Sequence, residues 1–250
     1  MRSHGISATS NRPGFVSVAP PANLYDFSFL APCPSSGLII SGGADRVAPV
    51  ADVTSLADKL KQQVTAELEK WTDPKGCETR DAFCFFYDTT NKGLIGQTPS
   101  FGSDEYNDHH FHYGYFLYAA GVLAADDPDL AEKLAPVMNL LAADIATSST
   151  NEYFVSRRNF DSYASHSWAS GTVPFADGNN QESASEAVTA YAGLTLWARA
   201  SGNEDLETEA RWMHALEAAS AQAYWTDFDL DDPVYDGFAH TVTPLVFGGK

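Results

Sequence analysis

Apolar residues recur at steps of three and four along much of the chain, and the places where that rhythm changes mark its organisation. Val53, Leu56, Leu60, Val64, Leu68 and Trp71 keep the rhythm, which predicts an amphipathic helix with one buried stripe. From His109 to Ala125 it is lost, because Tyr, Phe, Leu, Val and Ala occupy every face, and such a helix must be buried on most sides. Asp126-Asp127-Pro128 then marks a turn, with Pro at a favourable first helical position. Leu130, Leu134, Val137, Met138, Leu141 and Ile145 restore a one-sided stripe. A connection from Thr147 to Gln181, longer than a compact domain normally carries, leads to a largely apolar helix over Ser183 to Ser201 that Gly202 stops. A one-sided, charged helix over Glu204 to Trp225 follows.

Buried helices alternating with amphipathic ones predict a mainly α fold, a double ring of paired helices. Residues 1–50 are rich in Ser, Gly, Pro and Ala, with Pro20-Pro21 and Pro32-Cys33-Pro34 breaking any period, so they predict an irregular N-terminal segment. Residues 51–250 carry the helical domain.

Composition narrows the partners. A net charge of −18 repels a phosphate backbone and an anionic bilayer alike, so neither nucleic acid nor membrane insertion is expected. No run reaches the roughly twenty apolar residues needed to cross a bilayer. Met1 to Gly14 has neither the basic start nor the continuous apolar stretch of a secretory signal. Acidity does not repel a neutral polysaccharide, and the 12% of aromatic residues supply flat faces on which sugar rings stack. Acidity also simply aids solubility. Cys77 and Cys84 could close a small loop in an oxidising compartment, with Cys33 left over, or all three could be free thiols.

Two polar clusters open the apolar helices. The first is Asn107-Asp108-His109-His110-Phe111-His112-Tyr113-Gly114-Tyr115, and the second runs from Asp177-Gly178-Asn179-Asn180-Gln181-Glu182 to Ser183-Ala184-Ser185-Glu186. Asp108, His112 and Tyr115 share one helical stripe, so their side chains would converge on one cleft. A poorly hydrated, tyrosine-rich wall disfavours the charged form of Asp108 and suits it to donate a proton. Alternatively Asp108 caps the helix and His112 is an ordinary core histidine. Glu182 and Glu186, four apart, share a face near a helix N-terminus, where the dipole suits an ionised base. Ser183 and Glu186 also match a capping box.

His109, His110 and His112 raise a metal site, but adjacent imidazoles point to different sides and no second His or Cys pair has zinc spacing, so no metal is expected. His166 in Ser165-His166-Ser167-Trp168 lacks the Gly-x-Ser-x-Gly elbow of a serine hydrolase, and no phosphate-binding Gly-rich loop exists. In the long connection Arg157-Arg158-Asn159-Phe160-Asp161-Ser162-Tyr163 and Trp168 combine donors, acceptors and aromatic faces, the mixture that binds sugars.

These motifs resemble glycoside hydrolase family 81, the endo-β-1,3-glucanases. The likeness runs through Tyr87-Asp88-Thr89-Thr90, Asn107 to Tyr115, Arg158-Asn159-Phe160-Asp161, Ser165 to Gly171, Asp177-Gly178 and Asn180-Gln181-Glu182, over roughly residues 50 to 250. It implies an (α/α)6 barrel and inverting hydrolysis of internal β-1,3-glucosidic bonds in laminarin or callose-like polymers. In that pattern Asp108 is the general acid and Glu186 the base that activates water, with Glu182 beside them. Inversion needs the two carboxyls about 6.5–9.5 Å apart. Two carboxyls on one helix face are too close for that, so the acid is expected from the first cluster. The family pattern gives Glu182, Ser183, Tyr115 and His112 the work of binding sugar or tuning the base. Asp161, His166 and Trp168 join them from the loop.

No cofactor is expected; the partner is a β-1,3-glucan polysaccharide, the chain acts as a monomer, and the family implies an extracellular or cell-wall location. Complete members are much longer, so the sequence is expected to be a fragment of the catalytic region with a partial ring. Its rivals are a glucan-binding remnant and a metal-dependent hydrolase built on the three histidines.

Overall fold

The computed structural model describes Phe15–Val18, Gly37–Ile40, residues 50–172, residue 176 and residues 178–249. Two four-residue strands, β1 (Phe15–Val18) and β2 (Gly37–Ile40), pair in parallel, Phe15 opposite Gly37. These two short strands are what is described of the N-terminal segment, read from its composition as irregular or strand-poor; the rest of it, with Cys33, lies outside the described residues. Helix α1 (Val50–Trp71) carries the first stripe, with Val53 and Leu68 buried. A single helical turn, α2 (Gly76–Thr79), leads into the antiparallel hairpin of β3 (Phe85–Asp88) and β4 (Gly93–Gly96). Cys77 and Cys84 form a disulfide across that turn.

The main helices follow. They are α3 (His109–Leu123), α4 (Pro128–Ala146), α5 (Ala184–Ala200) and α6 (Glu204–Ala221). Helices α3 and α5 lie against each other, with α4 behind α3 and α6 behind α5. The apolar character of α3 on every face thus reflects its inner position. Leu117, Leu134, Met138, Leu141, Ile145, Leu194, Trp197 and Met213 form one continuous core among these helices. The starts follow local chemistry: Asp127 Oδ1 accepts from the Leu130 amide at 3.1 Å ahead of Pro128, and Asn203 Oδ1 accepts from the Leu206 amide at 3.0 Å.

Close approach of α3 and α5 depends on glycine. A Cβ at Gly114 would sit 2.4 Å from Ala190 Cβ, and one at Gly193 would sit 2.7 Å from the Tyr118 backbone nitrogen. Backbone cannot be pushed aside as a flexible side chain can, so Gly193→Val is expected to cost roughly 1–3 kcal/mol. A lower midpoint in urea unfolding would register it, and an unchanged midpoint would mean that the two helices are not so closely packed.

The final predicted helix stops sooner than its pattern suggests. After Ala221 the chain makes a π-turn over Gln222–Thr226, which inserts Trp225 into the interior. The long connection holds two minimal strands, β5 (Phe160–Asp161) and β6 (His166–Ser167), paired antiparallel. A third, β7 (Asn179–Gln181), pairs with β8 (Val246–Gly249), bringing the stretch after α6 back to the segment that precedes α5.

Candidate active site

Strand β7 and the turn before α3 bring the two polar clusters to one end of the α3–α5 pair. Asp108 takes the N-cap position of α3 in a left-handed conformation, φ +57°, after Phe101, Gly102 and Tyr106, which are also left-handed. A non-glycine residue in that region is held there by its surroundings. Its amide donates to the Ala169 carbonyl at 2.9 Å, and Asn107 Nδ2 donates to both Asp108 Oδ2 and the Phe101 carbonyl at 2.9 Å. Asp108 Oδ1 makes no protein hydrogen bond, although the residue is only 7% exposed. The side chain does not cap its own helix.

Burial pushes the Asp108 carboxyl up to about 7, and the negative charges of Glu182 and then Glu186 add to it, against a smaller opposing pull from His109. The three carboxyls therefore share one electrostatic site, in an arrangement that favours the protonated form of Asp108. On α5, Glu186 accepts a hydrogen bond from the Tyr115 hydroxyl, which comes from α3. The capping-box match misleads here: Ser183 occupies the N-cap position of α5 without a side-chain capping bond. Tyr115, 71 residues away in sequence, takes the Glu186 carboxylate instead. Glu182, just beyond β7, is exposed. Burial holds His112 below the usual imidazole value, with Glu186 opposing. The Phe101 ring lies beside it, centroids 6.3 Å apart.

The loop residues pair among themselves, and Trp168 is joined to the site through the backbone of its neighbour Ala169. Trp168 Nε1 donates to Asp161 Oδ2 at 3.1 Å. Burial raises the Asp161 carboxyl, but the Trp168 indole and the amides of Tyr163 and Ala164 outweigh it and leave the group below its ordinary value. His166, expected to bind substrate or tune the base, is 2% exposed and so out of direct reach of a substrate; it lies beneath Trp168 with ring centroids 4.3 Å apart and donates from Nδ1 to the Ser167 carbonyl. It supports the indole from behind. Asp177 lies outside the described residues.

The three histidines do not converge. His109 Nδ1 meets Asp144 Oδ2 and its Nε2 donates to the Ser103 carbonyl, both at 2.7 Å, while His110 is fully buried on another side, near Tyr191. Among the described residues no group of three His, Cys, Asp or Glu side chains is placed to hold a metal ion.

Two buried acids that support the site escaped the sequence reading. Asp144 on α4 accepts from the Leu94 amide, His109 and Arg158 Nε. Glu217 on α6 accepts from Ser167 and Gln181. Both interrupt an otherwise apolar stripe, and a charge on a buried stripe was the available signal.

The fold and site define a class: an (α/α)-type helical domain with carboxyls brought together where two helices begin. The chain belongs to glycosyl hydrolase family 81, whose C-terminal domain model matches residues 43–240. A glucan endo-1,3-beta-D-glucosidase of Acetivibrio thermocellus is 42% identical over 201 residues, covering 78% of this chain and 26% of that protein. The primary septum glucan endo-1,3-beta-D-glucosidase of Schizosaccharomyces pombe is 32% identical over 185 residues, 70% of this chain and 18% of its own length. A solved glycoside hydrolase family 81 structure from Clostridium thermocellum superposes with a TM-score of 0.70 at 40% identity, covering 79% of this chain and 28% of that one. The chain thus spans about a quarter of the length of these bacterial relatives.

Proposed function

We propose that this domain hydrolyses internal β-1,3-glucosidic bonds by single displacement, with inversion and without a cofactor. The observation that carries the reading is the state of Asp108: a buried carboxyl with one oxygen unpaired, raised to about 7 by that burial and by the charges of two other carboxyls, one of which is held by Tyr115. Asp108, protonated, gives its proton to the glycosidic oxygen as the bond to C1 breaks. Glu186 takes a proton from the water that attacks C1 on the opposite face. The choice of Glu186 rather than Glu182 as the base rests on the family resemblance. Glu182 then helps keep the acid protonated and accepts sugar hydroxyls, with His112 and Ser183 beside it. Trp168, braced by Asp161 and His166, offers a face for a glucose ring.

The relatives named as endo-1,3-beta-glucosidases support β-1,3-glucan as substrate. No helix among the described residues is long and apolar enough to cross a membrane. An extracellular or cell-wall location fits the Cys77–Cys84 disulfide, since such bonds persist in oxidising compartments.

Laminarin hydrolysis followed by proton NMR tests both substrate and stereochemistry. The α-anomer should appear first at the new reducing end, and initial β-anomer would overturn inversion. Binding of laminarin with no release of reducing ends would instead support a glucan-binding domain.

A further inference from the structure

Outer helix α6 turns one acid inward. Glu217 lies on the stripe of Ala210, Met213 and Ser220 and is 1% exposed. A carboxyl this deep needs donors on each oxygen. Its Oε2 accepts from the Ser167 amide at 2.9 Å and the Ser167 hydroxyl at 3.0 Å, and its Oε1 accepts from Gln181 Nε2 at 3.1 Å. Because the Ser167 hydroxyl proton is committed to Glu217, the Tyr191 hydroxyl at 2.7 Å donates to Ser167 in turn. Burial pushes Glu217 up to about 7, with the Ser167 and Gln181 donors opposing. A hydrophobic side chain would fill this place without that cost, so what the acid adds is direction.

Two segments meet at this carboxyl, and both lead to the candidate site. Ser167 precedes Trp168 and Ala169. The Ala169 carbonyl accepts from the Asp108 amide at 2.9 Å, and the Ala169 amide donates to the Asn180 carbonyl at 2.6 Å. Gln181 immediately precedes Glu182. One hydrogen-bonded path therefore runs from Glu217 through Ser167 to the backbone of Asp108, and another through Gln181 to Glu182. The geometry points to Glu217 as a positioning residue, away from the reacting atoms, that fixes the spacing of Asp108 from Glu182 and Glu186 by tying residues 167–169 to β7. Its effect on turnover rests on the glucanase reading; its effect on the site's geometry does not.

The full 250-residue chain carrying Glu217→Ala or Glu217→Gln tests this. Burial, and after it the charges of Glu182 and Glu186, set the titration midpoint of Asp108, so that midpoint, read by carbon-13 NMR of aspartate side-chain carboxyls, responds when residues 167–169 and β7 no longer hold Asp108 in its buried place beside the two glutamates. In Glu217→Ala the midpoint should move downward, toward the ordinary aspartate range. Glu217→Gln should leave it near the wild-type value, because the new amide oxygen still accepts from Ser167 and Gln181 can rotate its own amide to match. On laminarin, kcat should fall by about a hundredfold in Glu217→Ala with KM within about threefold, and Glu217→Gln should restore most of it.

A folded Glu217→Ala protein with an unmoved midpoint overturns the proposal. Should that variant not fold, Gln181→Ala cuts only the arm toward Glu182, and the same midpoint decides. A wild-type chain that releases no sugar while the midpoint moves as expected would leave the clamp standing and reject the glucanase reading.

Discussion

Asp108→Asn should reduce laminarin turnover by about 10²–10⁴-fold, the range that a positioned general acid contributes. The amide keeps the shape of the side chain and the hydrogen bond from Asn107 but has no proton to give to the departing oxygen. In the wild-type protein the rate should fall on the alkaline side of about pH 7, where Asp108 ionises. The same shift predicts that the substitution raises stability where it lowers turnover. The folded carboxyl titrates near 7 against an ordinary value of 3.8, so its contribution is fully present below about pH 4 and is lost as pH rises through 7. A carboxamide does not titrate, so the variant should melt above wild type at pH 8 and show no such advantage near pH 4. Thermal unfolding at both values checks this, and undiminished turnover would remove Asp108 from the mechanism.

Glu186→Gln is expected to be nearly as severe, on the order of 10²–10³-fold. The glutamine still accepts from the Tyr115 hydroxyl but cannot take a proton from water. The parallel variant Glu182→Gln should cost roughly tenfold, less than a lost base would, because Glu182 is given a supporting part. Comparing the two resolves a choice that sequence spacing leaves open. A larger loss at Glu182 than at Glu186 would reverse their assignment.

Much of the scaffold was legible because it rests on local chemistry. The Asp127-Pro128 start of α4, its stripe from Leu130 to Ile145 and the all-round apolar α3 need only helical periodicity and termini. The meeting of the two clusters was legible too, since two short polar runs opening buried helices are hard to place elsewhere. Long-range pairing was not. The text Ser183-Ala184-Ser185-Glu186 reads as a cap, and only the family resemblance, which gives Tyr115 the work of binding sugar or tuning the base, points to the partner that the glutamate finds on another helix. His166 carries the residue type of a binding group, yet Trp168 covers it. Asp144 and Glu217 become intelligible only once donors 50 residues away are in view. The π-turn after Ala221 fixes Trp225 through tertiary packing, which no periodicity records.

The left-handed backbone at Asp108 constrains which acids can serve there. Aspartate visits that well more readily than most residues because its short polar side chain suits it. Glutamate offers the same proton but fits that backbone less well, and its additional methylene would carry the carboxyl beyond the reach of Asn107. Chain geometry and chemistry thus select one side chain independently, and interchanging the two acidic residues at this position is not a conservative change.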